Sequence, residues 1–228
     1  MRKGWIAALL SVGTVVACGT GPDAAGTVGT LGAQGAPGAR LPHISHLRRP
    51  GTARPATGTE AASSGKNTIT VGSATLTKCS KKVSYYCADI TRPLDPSGAV
   101  SGTISIHYEW YPHTNSTPAT GTIVAIEGGP GYGSTDSRDY YLGAFAPLLG
   151  DRDMILVDAR GTGLSAAVNC PAAQTDGVVT QSDIAACGAT LGDTSDLYGS
   201  DLAAGDMEAI LELLDIGLID LYGDSYGT

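Results

Sequence analysis

The chain has 228 residues, 42% of them hydrophobic, which is enough apolar material for the core of one ordinary domain. Its formal charge is −8 and only 6% of its residues are aromatic. This balance excludes a general polyanion binder, and no nucleic acid partner is expected, because nothing would offset repulsion by the phosphates.

Charge divides the sequence into two parts. Residues 1–66 hold 7 Lys and Arg against 2 Asp and Glu, whereas residues 67–228 hold 7 against 20, so the net charge is +5 in the first part and −13 in the second. The first part is rich in Gly, Ala, Thr and Pro, and only the second shows strand and helix patterns. We therefore predict a signal peptide with a lipobox at 1–18, a disordered linker at 19–66 and a folded domain at 67–228.

The first residues are typical of a secretory signal. Arg2 and Lys3 precede an apolar run of 13 residues, 5–17, which would rise only about 20 Å as a helix, short of the roughly 30 Å hydrocarbon core of a membrane. Residues 15–18 also resemble the bacterial lipobox, in which Cys18 would be acylated and would anchor the protein to the membrane. The alternative is a plain secretory signal beside a cysteine. Either interpretation predicts an exported protein, a bacterial cell envelope lipoprotein or a secreted one.

Residues 19–66 predict a flexible tether, because they have no sustained period and few large apolar side chains. His43 and His46 lie three residues apart within it, which could suggest a metal site. No cysteine or carboxylate flanks them at ligand spacing, so solvated linker histidines are favoured and no metal is predicted.

Cysteine usage agrees with export. Besides Cys18 there are four cysteines, an even number that is typical of an oxidising compartment. Sequence proximity favours Cys79 with Cys87 and Cys170 with Cys187, among the three pairings that four cysteines allow. No CxxC motif occurs, so zinc is not expected.

The second part alternates predicted strands and helices. Residues 100–112 alternate large apolar with small or polar residues, which predicts a strand covered on one face. Continuous apolar runs at 120–127, 154–158 and 218–222 suit buried parallel strands, and helical spacing covers 138–149 and 201–214, the latter with Asp201 as a possible N-cap. This order predicts an α/β protein with a mostly parallel sheet and crossover helices.

A GxSxG motif follows the last predicted strand, at Gly223–Gly227. A sharp strand-to-helix turn there would hold Ser225 in a strained conformation with its Oγ exposed. Gly223 and Gly227 would leave room for the neighbouring backbone. We therefore predict a nucleophile elbow with Ser225 as the catalytic nucleophile, in preference to a Gly-rich turn without chemistry.

A second glycine-rich loop, Glu127 and Gly128–Gly131, follows the strand at 120–127. A loop in this place supplies one N–H of the oxyanion hole in enzymes with such an elbow. We predict the N–H groups of Tyr226 and Gly129 as the two donors, since Pro130 has no N–H. The alternative is a tight turn alone.

The third loop, Asp158–Ser165, follows the strand at 154–158, and its predicted role is structural. Asp158 and Arg160 are expected to pair and to bond the local backbone, while Gly161 and Gly163 take positive φ. The loop would then be held beside the rim of the active site. Ser165 is rejected as the nucleophile because it lacks the flanking glycines.

Three motifs in this order carry a family resemblance: GGPG at Gly128–Gly131, DxRGxGxS at Asp158–Ser165 and GxSYGT at Gly223–Thr228. Over residues 79–228 the chain resembles the proline iminopeptidase and tripeptidyl aminopeptidase branch of the α/β-hydrolase serine peptidases. The resemblance implies that Ser225 attacks a carbonyl near the free N-terminus of a peptide substrate and forms an acyl-enzyme, without a metal or organic cofactor. It also implies the N-terminal half of the α/β-hydrolase fold, with the cap domain and the C-terminal strands absent.

Glu127 departs from the family pattern, since relatives often carry His or Asn before GGPG. Its carboxylate either points away from the oxyanion or attracts a substrate ammonium group, and both interpretations stay open. In the family order the triad acid and base follow the nucleophile, and the sequence continues for only three residues after Ser225, with all four histidines before it. We therefore expect the 228-residue chain to be almost inactive alone, and an unpaired sheet edge to make it poorly soluble.

Two other functions fit parts of the same pattern. An esterase or lipase on this scaffold would use the same triad and oxyanion geometry on esters, and GGPG with DxRGxGxS favours the peptidase over it. A non-catalytic surface lipoprotein would use a hydrolase-like domain only for binding. Three intact site loops favour an enzyme over that alternative.

Overall fold

The computed structural model describes residues 62–63, 67–82, 84–174 and 177–228, and these form an eight-stranded sheet with helices on both faces. Cys18, His43 and His46, with the predicted signal, lipobox and linker, lie outside the described residues apart from the short strand at 62–63. The elements in chain order are β1 (Ala62–Ser63), β2 (Thr68–Val71), β3 (Ala74–Lys78), β4 (Tyr86–Pro93), β5 (Thr103–Tyr111), β6 (Gly121–Ile126), α1 (Arg138–Ala144), β7 (Arg152–Val157), α2 (Gln181–Leu191), α3 (Ser200–Leu213) and β8 (Ile219–Gly223).

The predicted α/β class is confirmed, because strands joined by helical connections lie in one sheet with a run of antiparallel strands. The strand order is β1-β2-β3-β4-β5-β7-β6-β8. The sheet is mixed, because β6, β7 and β8 pair in parallel whereas β1 to β5 and the β5–β7 pair are antiparallel. Helical connections join the three parallel strands, as such pairing requires.

Side chains of the central strands alternate between two hydrophobic cores, one on each face of the sheet. On one face, Val124 of β6 and Ile155 of β7 pack with Ile210 of α3 and with Leu214, the C-cap of that helix. On the other face the core is built around Tyr141 of α1, together with Tyr111, Ile123, Ala125, Met154 and Leu156. Because both faces are covered, β6 is continuously apolar over residues 123–126 and β7 over residues 154–157, as parallel strands usually are.

The expectation that β5 is covered on one face only was wrong. Residues 106–111 are all buried, so both faces of the strand are covered over that stretch. On the second face, the carboxylate of Glu109 accepts bonds from Arg138 Nε at 3.1 Å and Arg138 Nη2 at 2.8 Å, and it also contacts the Tyr111 hydroxyl. A paired charge allows the polar side of the strand to be buried.

The helix boundaries differ from the predicted ones for local reasons. Helix α1 ends at Ala144, well before residue 149, because Gly143 and Pro147 are poor continuations of a helix. Helix α3 starts at Ser200 with Gly199 as its N-cap, so Asp201 was wrong as the cap and instead lies in the first turn, where a negative charge favours the helix dipole.

Helix α2 was not predicted, because it has no buried residue and therefore no apolar stripe in its sequence. A capping box starts it: the Thr180 hydroxyl accepts the Asp183 N–H, and the Asp183 carboxylate accepts the Thr180 N–H at 2.9 Å. This box was the signal available in the sequence. The Cys170–Cys187 disulfide ties α2 to the segment after β7.

Both favoured disulfides are confirmed, Cys79–Cys87 and Cys170–Cys187. Among the strands that the structure describes, β8 lies at the edge of the sheet and pairs with β6 alone, and its Leu221 is 58% exposed. This is the predicted unpaired edge. Within the described ranges, no helix combines the length and the apolar character needed to cross a membrane.

Candidate active site

The carboxyl ends of β6 and β8 form the centre of the site. Ile126 pairs with Gly223, and the Asp224 N–H donates to the Ile126 carbonyl oxygen at 3.0 Å, so the two strands end side by side. Strand β6 lies between β7 and β8, although it precedes both in the chain. Such a change of direction leaves a crevice at the carboxyl edge of a sheet, which is where α/β proteins bind ligands.

Ser225 occupies the predicted sharp turn directly after β8. Its φ is +50°, a left-handed conformation that is rare for a residue other than glycine, and the residue is exposed. A Cβ on Gly223 would lie 2.3 Å from the Gly227 carbonyl oxygen, and a Cβ on Gly227 would lie 2.6 Å from the Ile126 carbonyl oxygen. Only glycine fits at either place, which is the steric reason for the GxSxG pattern at an elbow.

The loop after β6, residues 127–137, lies against this elbow; we call it the glycine loop. A Cβ on Gly128 would lie 2.7 Å from the Asp224 carbonyl oxygen and 2.9 Å from the Ser225 Cβ, so only a glycine allows this approach. Gly129 follows with φ +114° and Gly131 with φ +111°. The structure therefore brings GGPG and GxSxG together, as the sequence predicted.

The two predicted oxyanion donors, Gly129 and Tyr226, are close to this contact. A Cβ on Gly128 would lie 3.2 Å from the Tyr226 nitrogen. Within the part of the chain that the structure describes, the Gly128 N–H is occupied by the Glu127 carboxylate, whereas the Gly129 N–H makes no hydrogen bond. Pro130 has no N–H to offer. The oxyanion role of Gly129 and Tyr226 stays a prediction that this arrangement favours.

Glu127 turns its carboxylate into the glycine loop. One oxygen accepts the Gly128 N–H at 2.9 Å, and the other accepts the Tyr141 hydroxyl at 3.1 Å. Burial disfavours ionisation of Glu127, but hydrogen bonds from Ser137, the Gly128 N–H and Tyr141 outweigh it and hold its pKa below the ordinary value. In turn, burial and the charge of Glu127 raise the pKa of Tyr141.

The loop after β7, residues 158–165, holds the far end of the glycine loop; we call it the arginine loop. The predicted pair of Asp158 with Arg160 is wrong. Asp158 instead accepts the Thr135 N–H at 2.8 Å, the Thr135 hydroxyl at 2.9 Å and the Leu164 N–H at 2.9 Å. These three donors satisfy the buried carboxylate and tie the two loops together.

Arg160 pairs with a residue on α3 that sequence reasoning missed. Its Nε and Nη2 donate to the Asp206 carboxylate at 2.8 and 2.9 Å, and its Nη1 donates to the carbonyl oxygens of Leu94 and Leu197, both at 2.9 Å. Both charged side chains are buried. The available signal was an acidic residue, Asp206, on the apolar stripe of α3, where a charge needs a partner.

Other predictions for the arginine loop hold. Gly161 has φ +80° and Gly163 has φ +47°, as expected. Ser165 is fully buried, its Oγ donating to the Asp158 carbonyl oxygen at 2.7 Å and accepting the His107 N–H at 2.8 Å. A hydroxyl committed in this way is not available for attack, which confirms the rejection of Ser165 as nucleophile.

Neither histidine of the described residues is placed to serve Ser225. His107 lies on β5 and its Nδ1 is 2.9 Å from Asp89 on β4, while the Nδ1 of His113 is 2.8 Å from Asp153. Strand β5 is three strand positions from β8, about 14 Å at the usual spacing, whereas a general base needs hydrogen-bond contact.

One group of potential metal ligands occurs in the described residues: Cys79, Cys87 and Glu109. The two sulfur atoms form a disulfide and Glu109 is bound by Arg138, so no thiolate is available to a metal. This group therefore has a structural role.

No family model and no curated protein matches the chain. Among solved structures, proline iminopeptidase from Mycobacterium smegmatis is similar over 61% of this chain and 36% of its own, with 18% identity and a TM-score of 0.38. A soluble variant of monoglyceride lipase from Saccharomyces cerevisiae, in complex with a substrate analogue, is similar over 60% of this chain and 36% of its own, with 17% identity and a TM-score of 0.33. The chain thus spans about a third of the length of either structure.

Proposed function

We propose that this chain carries the nucleophile and the oxyanion hole of an exported serine hydrolase. The observation that carries the proposal is the conformation of Ser225: an exposed serine at φ +50° on the turn after β8, packed against a glycine loop. A protein without chemistry at this turn has no need of a strained serine flanked by two obligatory glycines.

In the proposed reaction the Ser225 Oγ attacks the substrate carbonyl carbon while a base removes its proton. The N–H groups of Gly129 and Tyr226 bind the oxyanion as it forms, a contribution of about 2.7–4 kcal/mol for each donor. Collapse of the intermediate releases the amine as leaving group, with the proton returned to it, and leaves an ester on Ser225. Water then hydrolyses that ester and restores the serine.

We propose that the general base and its acid come from polypeptide outside these 228 residues. The positions of His107 and His113 support this, because each is bound to a carboxylate on or beside a strand away from the elbow. Without a base the Ser225 hydroxyl is a weak nucleophile, so the 228-residue chain alone should turn over no measurable substrate.

The substrate we propose is a peptide with a free N-terminus, as in proline iminopeptidases and tripeptidyl aminopeptidases. Three motifs in the right order support it: GGPG, DxRGxGxS and GxSYGT. The two disulfides support export to an oxidising compartment, and the sequence before Cys18 supports a lipid anchor. Loss of palmitate labelling in Cys18→Ala tests that anchor, and labelling that persists contradicts it.

The test compares peptidyl amides that have free or acetylated N-termini, with the full-length protein and its Ser225→Ala variant. We expect hydrolysis only of the free amines, and none by Ser225→Ala. Equal turnover of both substrates contradicts an aminopeptidase, and turnover of esters alone assigns an esterase or lipase. Absence of any Ser225-dependent turnover would support a binding protein instead.

A further inference from the structure

The inference concerns Glu127 and rests on the proposed function, because it assigns a role within the same site. We propose that Glu127 is a positioning residue that fixes the glycine loop so that the Gly129 N–H faces the reacting carbonyl, and that it is not the receptor of a substrate ammonium group.

The contacts of Glu127 show how one residue can hold the whole loop. Its backbone N–H donates to the Ser134 Oγ at 3.1 Å, its carboxylate accepts the Gly128 N–H at 2.9 Å, and the other carboxylate oxygen accepts the Tyr141 hydroxyl at 3.1 Å. Ser134 and Tyr141 are buried. The carboxylate of Glu127 therefore ties the start of the loop to helix α1, while its backbone N–H ties the same residue to Ser134 further along the loop.

The bond to Gly128 determines which N–H is left for chemistry. An N–H bound to a carboxylate cannot serve an oxyanion, so the first free donor after β6 is the N–H of Gly129. Gly128 has no Cβ and can therefore pack directly against the Ser225 Cβ. This contact determines how far the Gly129 N–H lies from the nucleophile. Loss of the carboxylate would free the Gly128 peptide to rotate and would misplace the donor that follows it, where small errors are costly.

The same contacts disfavour binding of an ammonium group by Glu127. Both carboxylate oxygens already accept bonds, one from the Gly128 N–H and the other from the Tyr141 hydroxyl, and the side chains of Ser137 and Asp224 also contribute to the low pKa of this carboxyl. The exposed carboxylate beside the elbow belongs to Asp224 instead. A negative charge on Glu127 would oppose the developing oxyanion. The presence of a glutamate at this position is therefore explained by the hydrogen bonds that its carboxylate accepts, and not by its charge.

Glu127→Gln and Glu127→Ala separate the two roles, because glutamine keeps an oxygen that accepts the Gly128 N–H but has no charge. In the full-length protein we expect the Gly128 amide to exchange with solvent at least about 10-fold faster in Glu127→Ala than in the wild type, and at nearly the wild-type rate in Glu127→Gln. Unchanged exchange in Glu127→Ala would overturn the inference, whether or not the protein is an enzyme.

The second readout is the rate at which a fluorophosphonate probe labels Ser225. We expect at least about a 10-fold loss in Glu127→Ala, and a wild-type or slightly higher rate in Glu127→Gln. If Glu127→Gln instead raises KM for peptidyl amides with a free N-terminus while Ser225 is still labelled at the wild-type rate, Glu127 is an ammonium receptor and the inference is wrong. Asp136→Asn is the matched control, as it removes an exposed negative charge of the same loop that is not among the groups that bind Glu127 or the Gly128 N–H.

If the wild-type protein is not labelled at all, the proposed function fails. The amide exchange of Gly128 still decides whether Glu127 holds the loop.

Discussion

The glycine loop and the arginine loop leave the same edge of the sheet, and both begin with an acidic residue and contain several glycines, yet they use their hydrogen-bonding groups in opposite ways. In the arginine loop every charged group is buried and paired, Asp158 with Thr135 and Leu164, and Arg160 with Asp206. In the glycine loop, Glu127 binds the N–H of Gly128, which lies against Ser225, and the N–H of Gly129 makes no hydrogen bond to any residue that the structure describes.

At one edge of the sheet, the arginine loop therefore has a structural role, whereas the glycine loop has the groups that can act on a substrate. Buried and fully paired charges make a loop rigid but leave nothing for a ligand. An exposed glycine loop keeps donors available, and it needs its rigidity from elsewhere. Here that rigidity comes from Asp158, which binds Thr135 at the end of the glycine loop, and from Glu127 at its start.

The largest expected effect comes from Arg160→Ala, which removes the buried ion pair between the arginine loop and Asp206 of α3. Removing the guanidinium leaves Asp206 buried with only the partly exposed Arg92 as partner, at 3.1 Å. Breaking a buried ion pair typically costs about 3–5 kcal/mol, so the free energy of unfolding should fall by that order. Denaturant unfolding of the full-length protein measures it.

Arg152→Ala is the matched control, because its ion pair with Asp220 is partly exposed on both sides. A pair of this kind contributes about 0–1 kcal/mol, so the loss should be several times smaller than for Arg160→Ala. Equal losses in the two variants would contradict the structural role assigned to the arginine loop.

Gly128→Ala should lower both the reactivity of Ser225 and the stability of the fold. The new Cβ would meet the Asp224 carbonyl oxygen and the Ser225 Cβ, so the loop must move away from the elbow. We expect a loss of about 1–3 kcal/mol in the free energy of unfolding and about a 100-fold lower rate of Ser225 labelling, the effect of losing an oxyanion donor.

Gly143→Ala in α1 is its control, because a Cβ there meets nothing within 4 Å. That variant should be labelled at the wild-type rate. A similar loss of labelling in both variants would mean that the contact between the glycine loop and the elbow does not matter.

The smallest expected effect is the pH dependence of the contribution that Glu127 makes to the free energy of unfolding. Its pKa is below the ordinary value of 4.5 in the folded state, so the stabilisation is fully present above pH 4.5 and is lost as the pH falls through the folded-state pKa. The difference in unfolding free energy between wild type and Glu127→Gln should thus be constant near neutral pH and change only in acid. Urea unfolding at pH 8, 7, 6 and 3 measures it, and a difference that changes between pH 8 and pH 6 would contradict the assignment.

The sequence predicted what depends on local geometry and apolar pattern. Strands β6, β7 and β8 were placed within two residues because their runs are continuously apolar, and the elbow was found because Gly223 and Gly227 are the only residues that fit beside Ser225. Both disulfides followed from proximity along the chain. These features need little knowledge of distant partners.

The sequence did not predict features that depend on long-range pairing. Arg160 was assigned to Asp158, two residues away, whereas its partner Asp206 lies 46 residues further along the chain. The burial of both faces of β5 depends on Arg138, 29 residues from Glu109. The sequence also could not decide whether the Glu127 carboxylate points away from the oxyanion or binds a substrate ammonium group. The Tyr141 hydroxyl, which donates to that carboxylate, belongs to another element, helix α1.

The most direct test of the central claim is to react the full-length protein with a fluorophosphonate and to map the adduct by peptide mass spectrometry. The account predicts one phosphonyl group per chain, on the Ser225 Oγ, and no adduct in Ser225→Ala. An adduct at another residue that persists in Ser225→Ala, or a native protein that never reacts, would contradict it.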